Sequence, residues 1–186
     1  MSNVNAYIQS AITKWVWSGF YSLQKMQEMI GDLLEEGCDE ATLRASVEEK
    51  LNEKHIAEKL WPDVTDCDKL DSAFYKLHEL GICALSNTGY EMSDGYSYVA
   101  EAVSQAPEGH YHGYCFYHGQ DVELAVDGEG LMLAFGDLND RVEESVKVGN
   151  TVVTALRAVE LNVTWNESFE SRIELPTMNW QKRFRA

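Results

Sequence analysis

The segment GHYHGYCFYHGQD, residues 109–121, gathers three of the five histidines of the chain and an aspartate. Imidazole and carboxylate together suit zinc, nickel, manganese or iron, and an open coordination position would allow water to be activated. His110 and His112 are two residues apart, so in an extended segment both side chains point to one side. His118 and Asp121 fall between the end of one strand and the start of a helix. Hence His110, His112, His118 and Asp121 are the candidate ligands of a divalent metal, and His118 with Asp121 is also the candidate acid–base pair. The spacing matches no HExxH-type signature. A third use needs neither metal nor reaction: His118 bonded to backbone at a strand end, and Asp121 capping the helix that follows. The sequence leaves the three uses open.

Other chemistry is less visible. No GxGxxG, GxxxxGKS/T or GxSxG motif occurs. Cys38, Cys67, Cys83 and Cys115 form no CxxC pair and read as reduced thiols in or near the core. Cys115 is flanked by Phe116 in mid-strand. A nucleophilic thiolate would need a neighbouring base or cation, and the local sequence is acidic. Asp66, Asp68 and Asp71 could together suggest a divalent-cation site, but helix capping and the helix dipole explain the first two without a metal. His55 and His78 read as surface residues. Whether the protein is an enzyme is left undecided by these residues.

The chain has 186 residues and a formal net charge of -16. The charge is uneven: residues 65–140 hold two basic against fourteen acidic residues. Such a field repels phosphate backbones and anionic lipid, so neither nucleic acid nor a membrane is expected as a partner. It suits a cation. The first residues, MSNVNAYIQSAITKW, lack a basic region followed by an apolar run, and no stretch approaches 18 apolar residues. A cytoplasmic location is the expectation.

The elements that must position these residues follow from apolar periodicity. Residues 4–36 read as one long amphipathic helix, with Gly19 and Gly31 as weak points inside it. Trp17 and Tyr21 lie off its main stripe and are expected to face outward. A second helix runs from Asp39 to about Leu60 and stops before Pro62. Thr65 with Asp68 resembles a capping box opening a third helix, which ends at Gly81. After it come strand 82–85, helix 92–104, strand 114–117, helix 122–127 and strand 131–135. Helix 141–160 and strands 163–165 and 173–175 complete the order. The expected fold is α+β: a two-layer sandwich in which helices cover a mixed sheet of about five short strands, with an N-terminal helical hairpin. Residues 1–60 are read as a helical extension and 61–186 as the sandwich domain.

Three stretches are familiar together: WPDVTDCDKLDSAFYKLHELGI (61–82), YCFYHGQDVELAVDGEGLMLAFG (114–136) and VVTALRAVELNVTWNESFESRIEL (152–175). They resemble the bacterial domain-of-unknown-function family DUF6891. The motifs that carry the likeness are TDCDKLDSAF, FYHGQD and the TW…RI hairpin, over about residues 55–183, with the first helices left as a variable extension. The resemblance draws attention to His118, Gln120 and Asp121 and implies no mechanism.

The reading that follows is a non-enzymatic binding or regulatory domain, dimeric through its N-terminal helices or bound there to a protein partner. The alternative is a small metal-dependent hydrolase using the His/Asp cluster.

Overall fold

In a computed structural model, residues 3–184 are described. They form two compact units, one of the residues up to 63 with those from 181 on, the other of residues 64–180. No helix among the described residues is long and apolar enough to cross a membrane.

The first unit contains α1 (Asn3–Ser18), α2 (Leu23–Leu33) and α3 (Glu40–Glu58). Each has apolar residues four apart on one face, and these faces meet: Ile8, Ile12 and Val16 from α1, Met26 and Ile30 from α2, Leu43, Val47 and Leu51 from α3. Each such aliphatic side chain contributes about 1.5–3 kcal/mol on burial. The single helix expected over 4–36 is instead a hairpin, α1 and α2. Gly19 is the reason. It takes φ +79°, the left-handed conformation that ends helices, and a Cβ there would lie 2.7 Å from the Lys182 carbonyl. Ser22 then opens α2, its hydroxyl accepting a hydrogen bond from Lys25 N at 3.1 Å. Trp17 and Tyr21 do not face away from the core, as their spacing suggested; both are half-buried against it.

At the end of α1 lies an unusual group. Lys54, on α3, has no exposed surface, and its Nζ donates to Val16 O at 3.0 Å and Trp17 O at 3.4 Å. The last carbonyls of a helix lack intrahelical donors and carry its partial negative charge, so a buried ammonium is well placed there.

The second unit runs α4 (Asp66–Glu79), β1 (Ile82–Leu85), α5 (Met92–Gln105), β2 (Gly113–Phe116), α6 (Gly119–Val126), β3 (Leu131–Asp137), α7 (Val142–Ala158) and β4 (Ile173–Leu175). The sheet order is β1-β2-β3-β4. β1 and β2 are parallel, while β2–β3 and β3–β4 are antiparallel. Connection length decides this: α5 is long enough for a parallel crossover, and the eight-residue α6 is not. The expected strand 163–165 contributes only a single bridge, Thr164 to Glu174, so the sheet has four strands rather than five.

Helices flank this sheet. Gly113 and Cys115 look toward α7, where a Cβ on Gly113 would meet Val148, whereas Tyr114 and Phe116 look toward α5. α5 approaches so closely that a Cβ on Gly95 would run into the Phe116 ring. The capping box read at Thr65 and Asp68 is present, with Thr65 N donating to Asp68 Oδ2 at 2.9 Å and Asp68 N donating to Thr65 Oγ1 at 3.2 Å. Asp66 accepts from Asn179 N at 3.1 Å. His78 is not a simple surface residue. Its Nε2 donates to Ala84 O at 2.7 Å, which leaves Nδ1 to accept from the Tyr111 hydroxyl at 2.9 Å.

Candidate functional site

His118 and Asp121 come together because α6 starts earlier than its sequence suggests. The helix was expected at 122–127 with Asp121 as its cap; it begins at Gly119, with His118 as the N-cap and Asp121 in the first turn. Gly119 therefore starts a helix rather than merely ending a strand. Asp121 Oδ2 reaches back to accept from His118 N at 3.1 Å, satisfying one of the amides that a helix start leaves without a partner. The first two amides of the helix are taken by the loop after β1: Gly119 N donates to Gly89 O at 2.9 Å and Gln120 N to Tyr90 O at 3.2 Å. These bonds turn the helix start into a joint between the carboxyl ends of the two parallel strands.

Asp121 is 2 % exposed and His118 4 %. A carboxylate this deep requires a partner, and the sequence reading did not supply it. The partner is Arg172, 51 residues away, whose Nη2 lies 2.6 Å from Asp121 Oδ2 and also donates to Met132 O at 2.8 Å. The antiparallel pairing of β4 with β3, in the register Leu133↔Ile173, carries Arg172 to this position. Its sequence signal was faint: a basic residue immediately before a short apolar strand, inside the TW…RI hairpin.

The same Asp121 oxygen lies 3.3 Å from His118 Nε2. Burial pushes the His118 imidazole below the ordinary 6.5; Asp121 pulls it upward, and Arg172 presses it down again. Nδ1 of His118 is enclosed and has no hydrogen-bond partner, as is Nε of Arg172. One carboxylate oxygen thus holds a backbone amide, a guanidinium and an imidazole. This geometry fastens α6, β3 and β4 together, and it places the carboxylate's charge inward.

His110 and His112 lie elsewhere. Both precede β2, while His118 follows it, so at least the length of that four-residue strand, about 13 Å, separates the two groups. The His110 ring packs edge-on against Tyr111, at 4.4 Å between centroids. His112 N donates to Gly81 O at 2.9 Å, and its carbonyl accepts from Leu138 N at 3.1 Å. Segment 109–112 is a loop, so the extended geometry that would aim both rings one way does not arise. Among the described residues no group of three or more His, Cys, Asp or Glu side chains is placed to hold a metal ion.

The cysteines are free: Cys38 is half-buried, the other three are buried. Burial pushes the Cys83 thiol up to about 11 and raises that of Cys115 further. Both are poor nucleophiles at neutral pH.

A concave site that the sequence gave no cue to lies beside the joint. Ser86, Asn87 and Thr88, immediately after β1, face Tyr98, Glu101 and Gln105 of α5 across a groove of about 320 Å³. Thr88 is fixed by two bonds to Tyr117 O, from its amide at 3.0 Å and its hydroxyl at 3.2 Å. Asn87 adopts φ +51°, and its Oδ1 is enclosed with no hydrogen-bond partner. The groove therefore sits at the carboxyl end of a parallel strand, a common place for ligands in sheets with helical crossovers.

A family model described as "Domain of unknown function (DUF6891)" matches residues 1–184. The match takes in the N-terminal helices as well as the sheet, so these helices are part of the family's pattern and not an extension outside it. No curated protein and no solved structure matches the chain.

Proposed function

From the premise that the chain belongs to the DUF6891 family, we propose that it is a non-enzymatic binding or regulatory domain whose ligand enters the groove between the loop after β1 and α5. The observation that carries this reading is the groove itself: about 320 Å³, backed by a loop that Tyr117 holds from below, at the carboxyl end of a parallel strand. The state of the nearby titratable groups supports it. Asp121 accepts from His118 N and from Arg172 Nη2, and His118 Nε2 lies 3.3 Å from that same oxygen, so both residues act as parts of a joint.

Amide spectra of the full chain, titrated with a mixed panel of small acids, amines, sugars and nucleosides, test the reading. Residues 86–88 and 98–105 should shift with at least one compound, which is recovered unchanged. Conversion of the compound, or shifts confined to other surfaces, would sink it.

A second reading, self-association through the N-terminal helices, rests on a different observation. Ile56 and Leu60 are four residues apart at the end of α3 and are 64 % and 85 % exposed. Apolar side chains this exposed favour an interface. At a net charge of -16, two copies repel, so added salt should strengthen the dimer. Light scattering on the full chain should show a dimer that Ile56→Lys with Leu60→Lys converts to monomer; a monomer at every salt concentration rejects this reading.

A further inference from the structure

The chemistry of the groove narrows what it can hold, provided the binding reading above is right. Two features of its lining point the same way. Glu101 brings a carboxylate, tied only at one oxygen, to Gln105 Nε2 at 3.1 Å. Tyr98 is 52 % exposed and offers an aromatic face. No basic side chain lines the groove, and the surrounding segment 65–140 has only Lys69 and Lys76, both on α4.

The alternative of an anionic ligand meets opposition. The nearest helix start, that of α6, has its first amides bonded to Gly89, Tyr90 and Asp121. At the start of α5, Asp94 Oδ2 already accepts from Tyr90 N at 2.8 Å and Glu91 N at 3.0 Å. The amides that would attract phosphate or carboxylate are thus engaged. An aromatic face and a carboxylate beside a small volume make a receptor for positive charge.

We infer that the groove binds a slim organic cation, a primary ammonium or guanidinium on an alkyl chain, with its charge between the Tyr98 ring and the Glu101 carboxylate. The same head group occurs on free amines and on the side chains of lysine and arginine.

Calorimetry on the full chain separates these cases with four probes: agmatine, 1,5-diaminopentane, a short capped peptide with one central arginine, and glutarate as an anion of similar size. The cations should bind and glutarate should not, and binding should weaken as salt is added. Glu101→Gln and Tyr98→Leu should each weaken it about five- to tenfold. Tyr98→Phe should keep it, because the ring face remains. Both α5 positions are exposed, and unchanged thermal unfolding of each variant shows that the fold is intact. Agmatine binding without the peptide assigns a free amine, and the reverse assigns a basic polypeptide segment. If glutarate or another panel compound fills the groove while the cations do not, the cation assignment is wrong and the binding reading stands. If no compound perturbs residues 86–88 and 98–105, both are wrong.

Discussion

Each unit buries a charge against the end of a helix, and Lys54 and Asp121 have opposite signs. In the first, the Lys54 ammonium lies at the carboxyl end of α1, donating to the carbonyls of Val16 and Trp17. In the second, the Asp121 carboxylate lies at the amino end of α6, accepting from His118 N. Both follow the helix dipole. The second charge is also tied across the fold. Asp121 also faces a full positive charge, Arg172, and a titratable ring, His118. The difference teaches that burial of a charge beside a helix end can serve two purposes, closing off the helix or coupling distant strands to it.

The largest expected effect comes from breaking the anionic case. Asp121→Ala strands a guanidinium and a backbone amide, and should cost about 3–5 kcal/mol of unfolding free energy in urea titrations. Replacing both partners, Asp121→Leu with Arg172→Met, should recover a large part of that loss, since an uncompensated charge is costlier than an apolar pair. If the double replacement is as unstable as the single one, the pairing is not what Asp121 provides.

The cationic case should be cheaper to break. Lys54→Met keeps the apolar stem and removes a donor from two helix-end carbonyls, for about 1–3 kcal/mol. A loss in Lys54→Met exceeding that in Asp121→Ala would overturn the comparison.

The smallest effect is a dependence on pH centred on His118 of the second unit. His118 is held below 6.5, so the unfolded chain takes up its proton first. Its contribution is fully present above 6.5 and is lost as pH falls from there toward the depressed folded value. A separate loss follows at lower pH: Asp137, paired with Arg141, is held down to about 2 from 3.8, and its contribution disappears between those values as pH falls. His118→Gln should flatten the upper step and leave the lower one. An unaltered upper step in that variant assigns it to another group.

Much of this was legible in the chain, for local reasons. β1, β4, and α4 with its capping box are set by short-range signals: a Thr–Asp pair at the right spacing, a glycine stop, an apolar run between turns. The break at Gly19 was not, because glycine is tolerated inside helices; what enforces the left-handed turn is the approach of Lys182 from far along the chain. The start of α6 was misplaced because Asp121 is a good cap in isolation, and only the carbonyls of Gly89 and Tyr90 show that the helix begins two residues before it. His118 and Asp121 were found from their spacing. Arg172 was not, since a partner 51 residues distant is chosen by strand pairing. The groove was hidden for the same reason: residues 86–88 and 98–105 meet only when α5 folds back over β1.

The first unit is discontinuous in the chain, and this bears on the order of its assembly. Phe184 N donates to Glu58 at 2.7 Å and Arg183 to Pro62 O at 2.6 Å, while the Lys182 ammonium lies over the Phe20 ring. A ribosome must therefore make all of residues 64–180 before these contacts can form. Until then α1, α2 and α3 wait, collapsed on their aliphatic side chains but unlatched, so nascent chains halted short of residue 181 should be more open to proteases in their opening sixty residues than the finished protein is.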